Sequence, residues 1–212
     1  MDFPKNNIVV YTAITNDYDT VIETNKDPNV DYICFTDNID LKSDTWDIRY
    51  VQDLWHKDPK MLPDKWVGEY KYSIWVDANI EITSMPSTWI DCLQENKIAT
   101  FSAKNYQCAY IEADVCKEKG LDKVDKINTL IEIMNKDNYP KENGLSACGV
   151  IVREKCFETI KLGVLWRYMV WNYSKRDQIS YNYSLWKCNI EQSFLPDNIY
   201  DNELVKWRKK HK

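Results

Sequence analysis

Glycine is scarce, with five in 212 residues. Neither G-x-G-x-x-G nor G-x-x-x-x-G-K-[ST] occurs, so both glycine-rich phosphate cradles are excluded. A phosphate-bearing ligand has to be held by side chains or through a metal ion. Cysteine occurs seven times but never as C-x-x-C, which argues against a cysteine zinc site. Most of these cysteines sit in apolar runs, where a free thiol behaves as a small hydrophobe. The odd count reads as a reduced, cytoplasmic protein. No apolar run reaches 18 residues, so no membrane span is expected. The N-terminal run IVVYTAI is too short for a signal peptide. Positive charge is thin as well. Net charge is −5 and the only basic cluster is Arg208-Lys209-Lys210, which argues against nucleic acid as a partner. The two histidines, His56 and His211, have no serine or cysteine partner at a recognisable spacing, and a hydrolase triad is excluded.

What is present describes a globular chain. Hydrophobic residues make up 44% and charged residues 29%, outside the disordered range. The length suits one large domain over 1–212. The tail ELVKWRKKHK, 203–212, is the one candidate boundary, either a last helix or a lead into a further domain. Nine tryptophans and fourteen tyrosines either fill the core or stack on sugars or bases, because an aromatic has an apolar face and a polar edge.

Periodicity places strands at 8–14, 31–37, 46–51, 97–103 and 145–154. A further, central strand begins at 72 and runs past Asp77 to Ile82. Helices are expected at 83–95, with Thr83 or Ser84 as N-cap and Pro86 in the first turn, and at 108–120, closing on Gly120. A helix at 122–138 carries Val124, Ile127, Leu130, Ile131 and Met134 on one stripe. Two more follow at 155–173 and 174–188. Strands alternating with helices imply an α/β sheet covered on both faces.

Open α/β sheets bind ligands at the carboxyl ends of their strands. Three polar clusters fall there: Thr12 to Asp19, Asp37, and Asp77-Ala78-Asn79. Asp77 follows Ile74-Trp75-Val76, a run sealed on both faces, and an unpaired charge there would cost several kcal/mol. Asp77 and Asn79, at i and i+2, point to one side of a strand. They can share one Mn²⁺ or Mg²⁺, which take hard oxygen ligands, or simply bond their own backbone in a strand-end turn. In SKRDQIS, 174–180, Ser174 and Asp177 match a capping box; alternatively Asp177 and Gln178 hydrogen-bond the hydroxyls of a polar substrate. Lys57 and Lys60 are either solvated or face an anionic ligand. Glu112 and Asp114 read first as a solvated helix face and second as acceptor-side residues.

The segments VVYTAITNDYD, YICFTD, YSIWVDANIEI, GVIVRE and SKRDQIS, in this order, resemble the glycosyltransferase-like domain of plant pectin- and mucilage-related proteins. They also look like the small GT-A glycosyltransferase domain encoded by large chlorella viruses. The resemblance implies a GT-A fold, with a central, mostly parallel mixed sheet flanked by helices. It implies transfer of a hexose-type sugar with retention of configuration, from a UDP-sugar donor to a glycan or protein-linked glycan acceptor. It places the protein in the host cytoplasm if the chain is viral. Asp77-Ala78-Asn79 falls where such enzymes carry the DXD motif that holds Mn²⁺ or Mg²⁺ on the donor diphosphate. Asp77 matches its first aspartate, and Asn79 departs from its second. Tyr11, Thr12 and Ala13 match the strand end that cradles the uracil and ribose. Asp19 matches a residue that touches the nucleotide, and Asp177 and Gln178 match a pair that faces the donor sugar. Lys60 would add positive charge beside the diphosphate. Two other classes compete: a binding module that has lost turnover, which the Asn79 departure favours, and a nucleotide-sugar hydrolase.

Overall fold

The computed structural model describes residues 6–103 and 108–208. A seven-stranded sheet forms the middle of the molecule. Its strands are β1 (Ile8–Ile14), β2 (Val30–Thr36), β3 (Asp47–Tyr50), β4 (Tyr72–Val76), β6 (Ile98–Ser102), β7 (Ser146–Glu154) and β8 (Ser193–Phe194), in the spatial order β3-β2-β1-β4-β7-β6-β8. All neighbours pair parallel except those of β7, which runs antiparallel to both β4 and β6. This is a mostly parallel mixed sheet with helices around it, a GT-A-like arrangement. A second, two-stranded sheet joins β5 (Ile80–Ile82) to β9 (Val205–Trp207).

The two-residue alternation of the strands makes two separate cores. On one face Val9, Tyr11 and Trp75 pack with Met61, Leu162, Trp166 and Tyr181. These last four come from α1 (Lys57–Met61), α5 (Phe157–Asn172) and α6 (Asp177–Cys188). On the other face Val10, Ile74 and Val76 pack with Trp89, Leu93, Leu195 and Val205. A third cluster gathers Ala113 and Cys116 of α3 (Ala109–Glu118), and Ile127, Leu130 and Met134 of α4 (Val124–Lys136), against α5 and α6. The stripe expected on α4 is the one buried, apart from Val124, which is exposed at the first turn, and Ile131, which is partly covered. A four-residue helix α2 (Pro63–Trp66) follows α1.

Four expectations are corrected. The central strand does not run past Asp77. Val76 ends β4, the Asp77 carbonyl accepts the Ile80 amide at 2.9 Å, and the chain leaves the main sheet to form β5. The stretch 83–95 holds a 3₁₀ helix, Pro86–Leu93, and neither Thr83 nor Ser84 caps it. Their hydroxyls are engaged elsewhere: Thr83 donates to the Glu203 carbonyl, and Ser84 accepts from the Trp89 indole. The tail does not make a last helix; 205–207 is a strand, and His211 lies outside the described residues. Ser174 and Asp177 do not form a capping box. Helix α6 begins at Asp177 with no side-chain cap, and Ser174 Oγ donates to Asp122 instead. All seven cysteines are free thiols, Cys34, Cys108, Cys116, Cys148 and Cys188 among them buried.

Candidate functional site

Where β1 and β4 end, and where the antiparallel β7 begins, the sheet opens into a cavity of about 670 Å³. The polarity of β7 matters here. It brings Ala147, Cys148 and Gly149 to the same edge at which β1 delivers Ala13 and β4 delivers Asp77. Helices α1 and α6 close one side, and the residues after β8 close another.

At the floor lies a chain of charges. Lys60, only 6% exposed, places Nζ 2.8 Å from Asp177 Oδ2 and 3.2 Å from Asp77 Oδ1. Lys57 Nζ reaches Asp177 Oδ1 at 3.0 Å. The Trp75 indole donates to Asp77 Oδ1 at 2.6 Å, and the Lys60 ammonium lies over that indole, 5.8 Å from its centroid. Trp75 and Asp77, two residues apart, project to one side, as the strand period demands. The carboxylate at the end of an apolar strand is therefore compensated by a buried ammonium and an indole N–H.

This arrangement fixes protonation states. Burial alone would push the Asp177 carboxyl up, but Lys57 and Lys60 outweigh it and hold it well below the usual carboxylate range. Burial would lower the Lys60 ammonium, and Asp177 and Asp77 raise it instead. Asp177 is an obligate anion and Lys60 an obligate cation at neutral pH. His56, on the wall beside them, is shifted the other way: burial first, then Lys57 and Lys60, lower it, so its imidazole is neutral.

The expected site residues mostly converge. Ala13, Asp19, Lys60, Asp77, Ala78, Asn79, Asp177 and Gln178 all line the cavity. Tyr11 does not. It is fully buried in the core, edge-on to Trp75 at 5.3 Å, and its hydroxyl accepts from Arg153. Thr12 alternates to the opposite face and lines a small crevice with Val76 and Ile80. Glu112 is buried rather than solvated, 3.8 Å from Arg176, whereas Asp114 is exposed and paired with Lys117. Asp37 holds the Asn16 amide in the loop after β1. Sequence reasoning missed Arg176, Ile199, Tyr200 and Trp207. It assigned His56 no role. Only the order of tertiary contacts brings 199–207 back to residue 77.

A divalent cation is tested by the donor set. Asp77 has Oδ1 committed to Lys60 and Trp75, and both Asp77 and Asn79 line the cavity. Among the described residues no group of three His, Cys, Asp or Glu gathers as a self-sufficient metal site. Mn²⁺ and Mg²⁺ need no such cage, since they bind through one or two protein oxygens plus substrate phosphates and waters. The charge balance fits the same need. Lys57 and Lys60 are matched by Asp77 and Asp177, so an entering diphosphate meets little surplus positive charge. These residues fit a cation that arrives with its phosphate ligand.

No curated protein matches the chain. A family model described as TOD1/MUCI70, glycosyltransferase-like domain, matches residues 45–210. That span takes in α1, the 77–79 turn, the start of α6 and the returning strand β9, and leaves out β1 and β2. The chain belongs to the TOD1/MUCI70 glycosyltransferase-like domain family.

Proposed function

We propose that this protein transfers a hexose-type sugar from a UDP-sugar to a glycan acceptor, with retention at the anomeric carbon and with Mn²⁺ or Mg²⁺ at Asp77 and Asn79. The observation that carries the reading is the buried ammonium of Lys60, held between Asp77 and Asp177 on the floor of the cavity. When bound, the cation would neutralise charge developing on the departing diphosphate.

The chain's own groups supply the rest. Ala13, with Ile14 and Thr15 at the end of β1, offers a backbone edge for the nucleoside, and Asp19 lies in the loop beside it. Lys57 and Lys60 lie near the turn that faces the diphosphate; their charge is largely matched by Asp77 and Asp177, and they hold those two carboxylates in place. Asp177 is a fixed anion that can stabilise positive charge at the anomeric carbon or accept a sugar hydroxyl, with Gln178 one residue on for a further hydroxyl. Pinned by two ammonium groups, Asp177 makes a poor proton acceptor. Retention suits that state, because the departing phosphate can take the acceptor proton on the face it leaves.

Calorimetric titration with UDP tests the proposal, run with Mn²⁺ and with chelator. We expect binding that needs the metal and is lost in Asp77→Ala while the fold persists. Turnover of UDP-glucose should release UDP and depend on an added glycan. Equal UDP affinity with and without metal would remove the cation from the proposal. Release of sugar-1-phosphate would replace transfer with hydrolysis of the diphosphate.

A further inference from the structure

The returning segment 195–208 carries chemistry that donor binding does not use. Its end is fixed against the 77–79 turn: Trp207 pairs with Ile80, and the Arg208 amide donates to the Asn79 carbonyl at 2.9 Å. The loop before β9 is held by asparagines. Asn198 Oδ1 accepts the Tyr200 amide, Asn202 Nδ2 donates to the Asn198 carbonyl, and Asn202 Oδ1 accepts the amides of Leu204 and Val205. The Thr83 amide donates to the Leu204 carbonyl at 3.0 Å. From this braced loop and the strand after it two rings reach the cavity, Tyr200 and Trp207, with centroids 5.3 Å apart and planes at 59°.

Tyr200 is 64% exposed. A large aromatic left that open covers little of its own protein, yet this one stands at the wall of the main cavity beside a second ring. The cavity is divided in kind. Its ionic groups come from the loop after β1 (Asp19), α1, the 77–79 turn and the start of α6 with Arg176 before it, whereas the segment 199–207 lines it with Ile199, Tyr200 and Trp207 and with no charged side chain. A nucleoside diphosphate calls for the ionic side. A pyranose, with a C–H face ringed by hydroxyls, calls for flat apolar rings with polar edges.

Resting on the transferase reading above, we infer that Tyr200 and Trp207 form a platform for the acceptor, stacking on the C–H face of its terminal pyranose. The hydrogen bond from Arg208 to Asn79 ties the platform to the turn that faces the donor, so the acceptor ring is set in register with the reacting carbon.

The test uses the full chain, Tyr200→Ala and Tyr200→Phe. Methyl β-D-glucopyranoside, methyl β-D-galactopyranoside and methyl α-L-rhamnopyranoside serve as probes in saturation-transfer NMR, without nucleotide, and UDP affinity is measured in parallel. At least one glycoside should receive saturation from aromatic protons. Tyr200→Ala should weaken it about tenfold, the scale of one lost ring contact. Tyr200→Phe should keep it, and UDP affinity should be unchanged in both variants. Absence of any glycoside signal overturns the platform. So does a signal indifferent to Tyr200→Ala, or a loss of UDP affinity equal to the loss of glycoside affinity, which would give the rings to the donor. Glycoside binding that follows this pattern in a chain unable to bind UDP supports the platform and sinks the donor reading alone.

Discussion

At the scale of single residues, the Asp177–Lys60–Asp77 chain sets the chemistry and also bears on stability. Asp177 is 9% exposed and doubly paired. Breaking a buried pair from one side leaves an uncompensated charge and costs about 3 kcal/mol or more. Asp177→Asn should therefore lower the melting temperature near pH 7, and the variant should transfer sugar poorly even at temperatures where it is folded. The pH dependence has a definite sign. The carboxyl of Asp177 is held lower in the folded chain than in the unfolded one, so its contribution is present above the unfolded value of about 3.9 and fades as the pH falls below it. The gap between the melting temperatures of the two proteins should begin to narrow below about pH 4 and go on narrowing as the pH falls further. A gap that stays constant down to pH 3 would mean that the lysines do not hold this carboxylate.

At the scale of elements, the site depends on how closely α1 approaches α5. Gly163 lies inside α5, and a Cβ there would sit 2.2 Å from the Met61 carbonyl oxygen, one residue after Lys60. The obstacle is backbone, so relief requires the helices to part. Gly163→Ala should cost about 1–3 kcal/mol and should weaken UDP binding by displacing Lys60; denaturant unfolding and UDP titration read the two effects. Gly149→Ala is a milder case, because the added Cβ would meet the tips of Ile199 and Ile80, which are flexible side chains. This contrast also explains what could be seen in the sequence. The start of strand β4 and the stripe of α4 are legible as local patterns of burial, whereas the turn at Asp77 is not, because the apolar Ile80 and Ile82 continue the pattern of the strand although they pair with β9 instead. Lys60 is expected beside the diphosphate, but nothing local says that a lysine four residues after His56 will be buried between two aspartates. The capping box at Ser174 was a valid local pattern, yet a long-range bond to Asp122 displaced it. Tyr11 matches the strand end that meets the nucleotide, but it lies one step deeper along β1 than Ala13 on the same face, packed against Trp75 and Arg153, and only Ala13 reaches the cavity.

At the scale of the whole molecule, the family match and the fold divide the chain differently. The match begins at residue 45, after β1 and β2, yet β1 stands inside the sheet between β2 and β4. Val9, Val10 and Tyr11 are fully buried, one face of β1 serving each core. A fragment limited to 45–210 would expose both the edge of β4 and the apolar faces that β1 covers. We expect it to lack a cooperative unfolding transition by circular dichroism, in contrast to the full chain; a sharp transition in the fragment would show that β1 and β2 are dispensable to the core. None of the helices among the described residues is long and apolar enough to cross a membrane.

The pairing of β5 with β9 has a further consequence. It consists of three residue pairs, Ile80 with Trp207, Glu81 with Lys206, and Ile82 with Val205. In a ladder that short, adding or removing one residue between Asn198 and Leu204 would slip the register and reverse which side chains point inward. A lysine or an arginine would then occupy the place of Trp207 opposite Ile80. If the rings of this wall meet the acceptor as proposed, a one-residue change of length in that loop would exchange an aromatic face for a positive charge, and a preference for an uncharged sugar for a preference for an acidic one.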